Sequence, residues 1–391
     1  MINGEKYRYT HLIVIDPSYK SFVGHHGQYI HSIRTDCENR NLFTTIFAHQ
    51  NIFLTDCRYL NIYNCFKYDI KYDFPFNGPK IIKKIINAIL VNFDFIRNIK
   101  RITKTASNNS INTIIFIPNC IEMLIPALFT LVYCFKSNIS PKFIFLFRTD
   151  PRKILRFIKF SLSILSNKRN VIFVTDSHKL QEEYSNITNI KFKLVPIPVL
   201  TTDHSNTQFG GNVANFKFSC LGAQRHEKGL DVLIRTLSIS DVLYKAIINK
   251  IEFRIQDETG NLKGRLKQIV FPISGYLNPN EYLDEIYNSD SIIIPYRTEF
   301  YKSRTSGILI DALCHGKPCI IPKNTWMEEI TAGTGAVITF YSGDINSLKN
   351  AIFEMYQHYT IYSSNAKKIM KSFRNFHSPK QLVNFLLSYE K

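Results

Sequence analysis

Short runs of apolar residues recur along the whole chain. In the first half they are HLIVID (11–16), LFTTIFA (42–48), TIIFIP (113–118), FIFLFRTD (143–150), VIFVTDS (171–177) and FKLVPIP (192–198), most of them separated by stretches with helical periodicity. Strands that are apolar on both faces must be covered on both faces, so their alternation with helices predicts a mostly parallel sheet between helical layers. The second half repeats the theme with FKFSCLG (216–222), IEFRIQD (251–257), IVFPISG (269–275), SIIIPY (291–296), KPCIIP (317–322) and GAVITF (335–340). The expected fold is therefore α/β, with two doubly wound Rossmann-like domains, 1–200 and 216–377. The stretch TTDHSNTQFGGNVAN (201–215) reads as the linker, because it lacks apolar periodicity and is rich in turn formers. Ser378-Pro379 followed by KQLVNFLLSYEK predicts a terminal helix over 378–391, with packing back on the first domain as one option. Ligands of such sheets sit beyond the carboxyl ends of the strands, so two facing domains are expected to place an active site in a cleft between them.

Residues 301–326, YKSRTSGILIDALCHGKPCIIPKNTW, hold the most informative polar position. Thr305 and Ser306 are suited to cap a helix, Gly307 allows close approach to the backbone, and Gly316 with Pro318 ends the helix. Ile308, Leu309, Ile310, Ala312 and Leu313 make that helix apolar nearly all round, which leaves Asp311 as a carboxylate in a buried run. Such a group needs a partner. Two readings carry similar weight: a ligand with hydroxyls and phosphate, its anion held at the helix start, or a capped core helix whose aspartate pairs with a lysine.

The chain has 391 residues, 45% hydrophobic and 20% charged, within the range of an ordinary globular protein. Its net charge of +18 is uneven, since residues 1–200 hold 27 Lys and Arg against 13 Asp and Glu. A positive field of this kind suits nucleic acid, an anionic membrane surface or phosphorylated substrates. Aromatic residues fall within apolar runs, which favours core packing over base stacking. The eight cysteines show no CxxC pair and no zinc-ligand spacing, so they read as buried free thiols of a cytosolic protein. No signal peptide or membrane span is expected, because the longest apolar stretch (120–135) is short and contains Glu122 and Pro126. Two basic amphipathic segments, 80–104 and 152–169, fit either ordinary surface helices or helices lying on anionic lipid, and the first reading is preferred.

The segment FSCLGAQRHEKGLDVLIRTL (218–237) places a strand end at Gly222, then Arg225, His226 and Lys228 in a loop, then Gly229 opening a helix. Two cations beside a helix start can clamp a diphosphate; a solvated basic turn is the plainer reading. Together with GYLNPNEYLDEIYNSDSIIIPY, the 301–326 segment and TAGTGAV, this part of the chain (about 216–350) resembles the C-terminal domain of GT-B nucleotide-sugar glycosyltransferases. The likeness is to glycosyltransferase family 4, in a bacterial polysaccharide subgroup with a YxxRxSG variant.

The resemblance implies that Arg225 and Lys228 hold the donor diphosphate and act in catalysis. Gly222, Tyr301, Arg304, Thr305, Ser306 and Gly307 would complete the donor site, and Asp311 would stand where the family has a ribose-binding glutamate. Two departures are visible, the first with a nearby acid that could substitute. Ser303 occupies the place of the family's first glutamate, Glu299 lies four residues earlier, and Ala223 stands where an arginine often follows the glycine. Arg304 is then the residue expected to compensate. In the first half, Gly24, His25, His26 and Gly27 resemble a glycine-rich loop facing the acceptor, with His26 also assigned to catalysis; Arg148 and Asp150 are either acceptor contacts or a structural ion pair. No metal and no cofactor is expected, the nucleotide-diphosphate sugar being a substrate. The implied function is a hexosyltransferase-type glycosyltransferase that passes a sugar to a glycan or lipid-linked glycan in bacterial surface polysaccharide synthesis, metal-independent and retaining. Its expected location is cytoplasmic or peripheral at the inner face of the cell membrane, with an anionic membrane surface as a further partner and no nucleic acid. The alternatives are another chemistry on the same fold, a nucleotide-sugar epimerase or glycan phosphorylase, and a basic nucleic-acid-binding module.

Overall fold

The computed structural model describes residues 10–21, 24–52, 61–70, 79–107, 112–135, 141–151, 156–199, 215–222, 225–239, 247–256, 266–275 and 277–388. The linker 201–214 and Ala223 lie outside them. The chain divides into two compact units. The first is formed by Met1–Phe22, His26–Pro198 and Pro379–Lys391, and the second by Val23–His25 and Val199–Ser378.

In the first unit the described strands are β1 (Thr10–Asp16), β2 (Phe43–His49), β3 (Ile62–Phe66), β4 (Asn112–Cys120), β5 (Lys142–Phe147), β6 (Val171–Thr175) and β7 (Lys193–Leu194). They form one parallel sheet in the order β3-β2-β1-β4-β5-β6-β7. Successive side chains of a strand point to opposite faces, and two cores result. Ile13, Ile15, Ile115, Ile117, Phe143, Phe145 and Phe147 face one core with residues of the helices Lys80–Ser107, Ile125–Tyr133, Arg156–Ser166 and His178–Thr188. Leu12, Val14, Ile114, Phe116, Ile144 and Leu146 face the other, with Tyr29, Ile30, Ile33 and Cys37 of the helix Gly24–Asn39. The terminal helix Pro379–Leu387 completes this second layer through Leu382, Val383, Leu386 and Leu387. Arg40 donates to Asn384 Oδ1 at 2.6 Å and to the Lys380 carbonyl at 3.2 Å.

The large aromatic residues serve these cores. Phe147, Phe173, Tyr184 and Phe192 pack as a group, with Tyr184 and Phe192 stacked at 4.7 Å. Each such buried ring contributes roughly 1.5–3 kcal/mol. The edge strand β3 has no counterpart among the predicted runs. Only its end, Cys65 and Phe66, is buried, while Tyr63 and Asn64 face outward, so it never forms a continuous apolar run. Among the described cysteines Cys134 is exposed, against the expectation of buried thiols throughout.

The second unit has β8 (Phe216–Cys220), β9 (Ile251–Gln256), β10 (Val270–Ile273), β11 (Ser291–Ile293), β12 (Cys319–Pro322) and β13 (Val337–Phe340). All described pairings are again parallel, in the order β10-β9-β8-β11-β12-β13. Strand order reverses between β8 and β11, so the crevice beyond their carboxyl ends is where a doubly wound sheet accepts a ligand. Among the described residues no helix is long and apolar enough to cross a membrane.

Candidate functional site

Strand β8 runs into Gly222, whose φ of +90° and tight surroundings both require glycine. A Cβ there would collide with Lys228 Nζ and lie 2.8 Å from Ile308 Cδ1. The Gly222 N–H donates to Gln256 Oε1 at 2.6 Å, and Gln256 Nε2 donates to the Gly275 carbonyl at 2.9 Å. Gln256, which the sequence reading passed over, thus ties together the chain beyond β8 and β10 from the end of β9.

Lys228 closes a short 3₁₀ turn, His226–Lys228, whose geometry brings its side chain back over the strand end. Gly229 follows in the left-handed conformation (φ +66°), so close to Pro295 that a Cβ would collide with the Pro295 carbonyl oxygen. Arg297 anchors the turn from beyond β11. Its backbone N–H donates to the Glu227 carbonyl at 3.0 Å, its Nε to the His226 carbonyl at 3.0 Å, and a terminal nitrogen to both Asp231 oxygens at 2.9 Å. The sequence shows only an arginine after an apolar run, and nothing in its spacing reveals this bracing role.

Lys228 is only 4% exposed. Among the described residues its ammonium has no carboxylate or carbonyl partner; it lies 5.5 Å from the centroid of the Tyr296 ring. Burial, with the nearby guanidinium groups of Arg225 and Arg304, brings its pKa down to about 8. An unpaired buried cation is costly unless an anion joins it. Arg225 is nearly half exposed and pairs with Glu227 at 3.2 Å. Arg304 lies 5.0 Å from the centroid of the Tyr301 ring, and Tyr301 packs on Tyr296 at 4.3 Å. Three cations therefore gather around two tyrosines whose rings pack at a tilt.

The helix Gly307–Cys314 starts beside this group. Ser306 is its cap, its hydroxyl accepting from Leu309 N at 3.4 Å. Thr305 is half-buried just before the cap. Asp311, 9% exposed, has its predicted partner, which is neither lysine nor arginine: Tyr282 donates to Oδ2 at 2.8 Å. Burial raises the carboxyl pKa to about 7, and the Tyr282 hydrogen bond holds it from rising further. Ser303 is buried, whereas Glu299 is exposed on the short helix Thr298–Tyr301. At the rim, exposed His226 and Phe300 meet edge to face at 6.2 Å.

One expectation for the first half of the chain changes. The expected glycine-rich loop at Gly24, His25, His26 and Gly27 is the first turn of the helix Gly24–Asn39. Its cause is the apolar set Tyr29, Ile30, Ile33 and Cys37, whose burial outweighs a helix penalty of about 1 kcal/mol per glycine. The side chains of His25 and His26 lie outside the described residues. Arg148 pairs with Asp176 at 2.9 Å, rather than with Asp150, and stacks over Tyr29 at 4.3 Å. Asp176 is almost fully buried, whereas Asp150 is exposed. Among the described residues no group of three or more His, Cys, Asp or Glu side chains is placed to hold a metal ion.

Two parallel doubly wound units define the GT-B fold class. No protein-family model matches the sequence, and no curated protein matches it by sequence. Solved structures do match. Sucrose-phosphate synthase from Thermosynechococcus elongatus aligns over 97% of this chain and 98% of its own, with a TM-score of 0.68 at 11% identity. A glycosyltransferase from Rickettsia africae aligns over 98% of both chains, with a TM-score of 0.68 at 13% identity. Anabaena HepE in complex with UDP-glucose aligns over 97% and 98%, with a TM-score of 0.62 at 11% identity. At these identities the likeness is one of fold.

Proposed function

We propose that the chain is a glycosyltransferase that takes a sugar from a nucleoside-diphosphate donor bound in the second unit. The observation that carries this reading is Lys228, a buried cation without an anionic partner among the described residues, held over a glycine at the switch point of the sheet. Two neighbouring arginines and a helix N-terminus add positive potential at the same place. As the bond between the sugar and the diphosphate breaks, negative charge builds on the leaving phosphate. Lys228, Arg225 and Arg304 are suited to stabilise it without help from a bound metal. Asp311, with Oδ2 taken by Tyr282, offers Oδ1 as a ribose acceptor. HepE was solved with UDP-glucose, which makes uridine diphosphate sugars the first donor class to try.

The acceptor in this reading is a glycan or lipid-linked glycan of a bacterial surface polysaccharide, with retention at the transferred carbon. The test is nucleotide release from UDP-, GDP- and ADP-sugars with and without glycan acceptors. Arg225→Ala and Lys228→Ala should each lower turnover by about 100-fold, while EDTA leaves it unchanged. Full turnover in both variants would remove the clamp from the reaction. Conversion of a donor sugar in the absence of any acceptor would point instead to an epimerase.

A further inference from the structure

The helix Lys80–Ser107 has two apolar faces, and the sheet covers only one of them. Val91, Phe95, Ile99, Ile102 and Ala106 belong to the buried core. Ile82, Ile85, Ile89, Phe93 and Ile96 are instead 41, 55, 62, 69 and 41% exposed. Their spacing of three and four residues keeps them on one outward stripe. Single exposed apolar residues need no explanation, but a line of five along one helix does. An ordinary surface helix buries its apolar stripe, as this one does with the first face; the second stripe is additional to it.

The same side continues into cations. Arg97, Lys100, Arg101 and Lys104 are exposed in the last turns. The segment holds a single acid, Asp94, and that carboxylate is buried, accepting from the N–H groups of Lys67 and Tyr68 and pairing with Arg97 at 3.2 Å. The outward face therefore presents aliphatic, aromatic and cationic groups and no exposed acid. Pairing with a second copy would set cations against cations, or against the apolar turns. A bilayer surface with anionic headgroups matches both halves, taking the apolar side chains at the acyl boundary and the lysines and arginines among the phosphates.

We propose that this face docks the chain on an anionic lipid surface. The inference rests on exposure and charge in the first unit and is independent of the donor reading. Co-flotation of the full chain with vesicles of phosphatidylglycerol and phosphatidylcholine, against phosphatidylcholine alone, tests it. Wild type should float with the anionic vesicles and much less with the neutral ones. Ile89→Ser with Phe93→Ser, and separately Lys100→Glu with Lys104→Glu, should each reduce partitioning at least tenfold, with melting curves unchanged because all four positions are exposed. Equal partitioning of the serine variant and wild type overturns the proposal, since generic charge attraction responds only to the lysine changes. So does a failure of wild type to bind anionic vesicles, or a solution dimer by light scattering that Phe93→Ser dissociates.

Discussion

Replacing Lys228 by methionine removes the buried charge and keeps most of the side-chain length. In the folded chain the ammonium titrates near pH 8 instead of 10.5, because burial disfavours the charged form and Arg225 and Arg304 add to the effect. Below pH 8 the lysine is charged in both folded and unfolded chains, and the folded chain bears the full cost. Between pH 8 and 10.5 the folded form has released its proton while the unfolded form keeps it, so the cost shrinks; above 10.5 it is gone. A displacement of that size corresponds to ~3 kcal/mol at neutral pH. The variant also loses the contact with the Tyr296 ring, worth roughly 0.5–2 kcal/mol. Lys228→Met should therefore stabilise the unliganded second unit by about 1–2 kcal/mol at pH 7, a rise of several degrees in Tm for a domain of this size. The gain should fade as the pH rises from 8 to 10.5. In the same variant, the nucleoside diphosphate that stabilises wild type should no longer raise the midpoint. Thermal melts at pH 7 and pH 10, with and without nucleotide, read all of these outcomes. A variant less stable than wild type at pH 7, or one with an undiminished nucleotide response, refutes the reasoning.

Gly222→Ala places a Cβ against Lys228 Nζ and Ile308 Cδ1 at a φ of +90°, so a loss of about 1–3 kcal/mol in urea melts and of the nucleotide response is expected. Asp311 retains its proton to about pH 7 in the folded chain, against an ordinary 3.8, so its contribution to stability falls as pH rises from about 4 to 7. Asp311→Asn cannot ionise and still accepts from Tyr282; it should remove that slope and gain about 1–3 kcal/mol at pH 8. An unchanged pH profile would place the titration elsewhere. Arg304→Ala should weaken donor binding about tenfold with folding intact, because it removes one of the three converging cations; unchanged affinity would exclude Arg304 from the site.

Much of the fold was legible because its strands are apolar on both faces. Runs such as HLIVID admit no other placement, and Thr10–Asp16 is buried throughout. The edge strand Ile62–Phe66 was not legible, since one of its faces meets solvent. Gly222, Lys228, Ser306 and Asp311 stood out because each breaks a local pattern: glycine at a strand end, a lysine that closes a turn, a cap, an acid in an apolar helix. Tyr296, Tyr282, Gln256 and Arg297 did not, because their roles depend on contacts made across the sheet. The two apolar stripes of the helix Lys80–Ser107 were not separable in the sequence for a related reason. Periodicity reports that a helix has an apolar stripe, but not which of two stripes the core takes.

Donor binding by the second unit is read out by calorimetric titration of the wild-type chain with UDP, GDP and ADP, and with their common sugar conjugates. Saturable binding of at least one nucleoside diphosphate and its sugar conjugate, abolished by Lys228→Met, is the expected result. Absence of binding across the whole panel by a folded protein, or binding that Lys228→Met leaves intact, would contradict it.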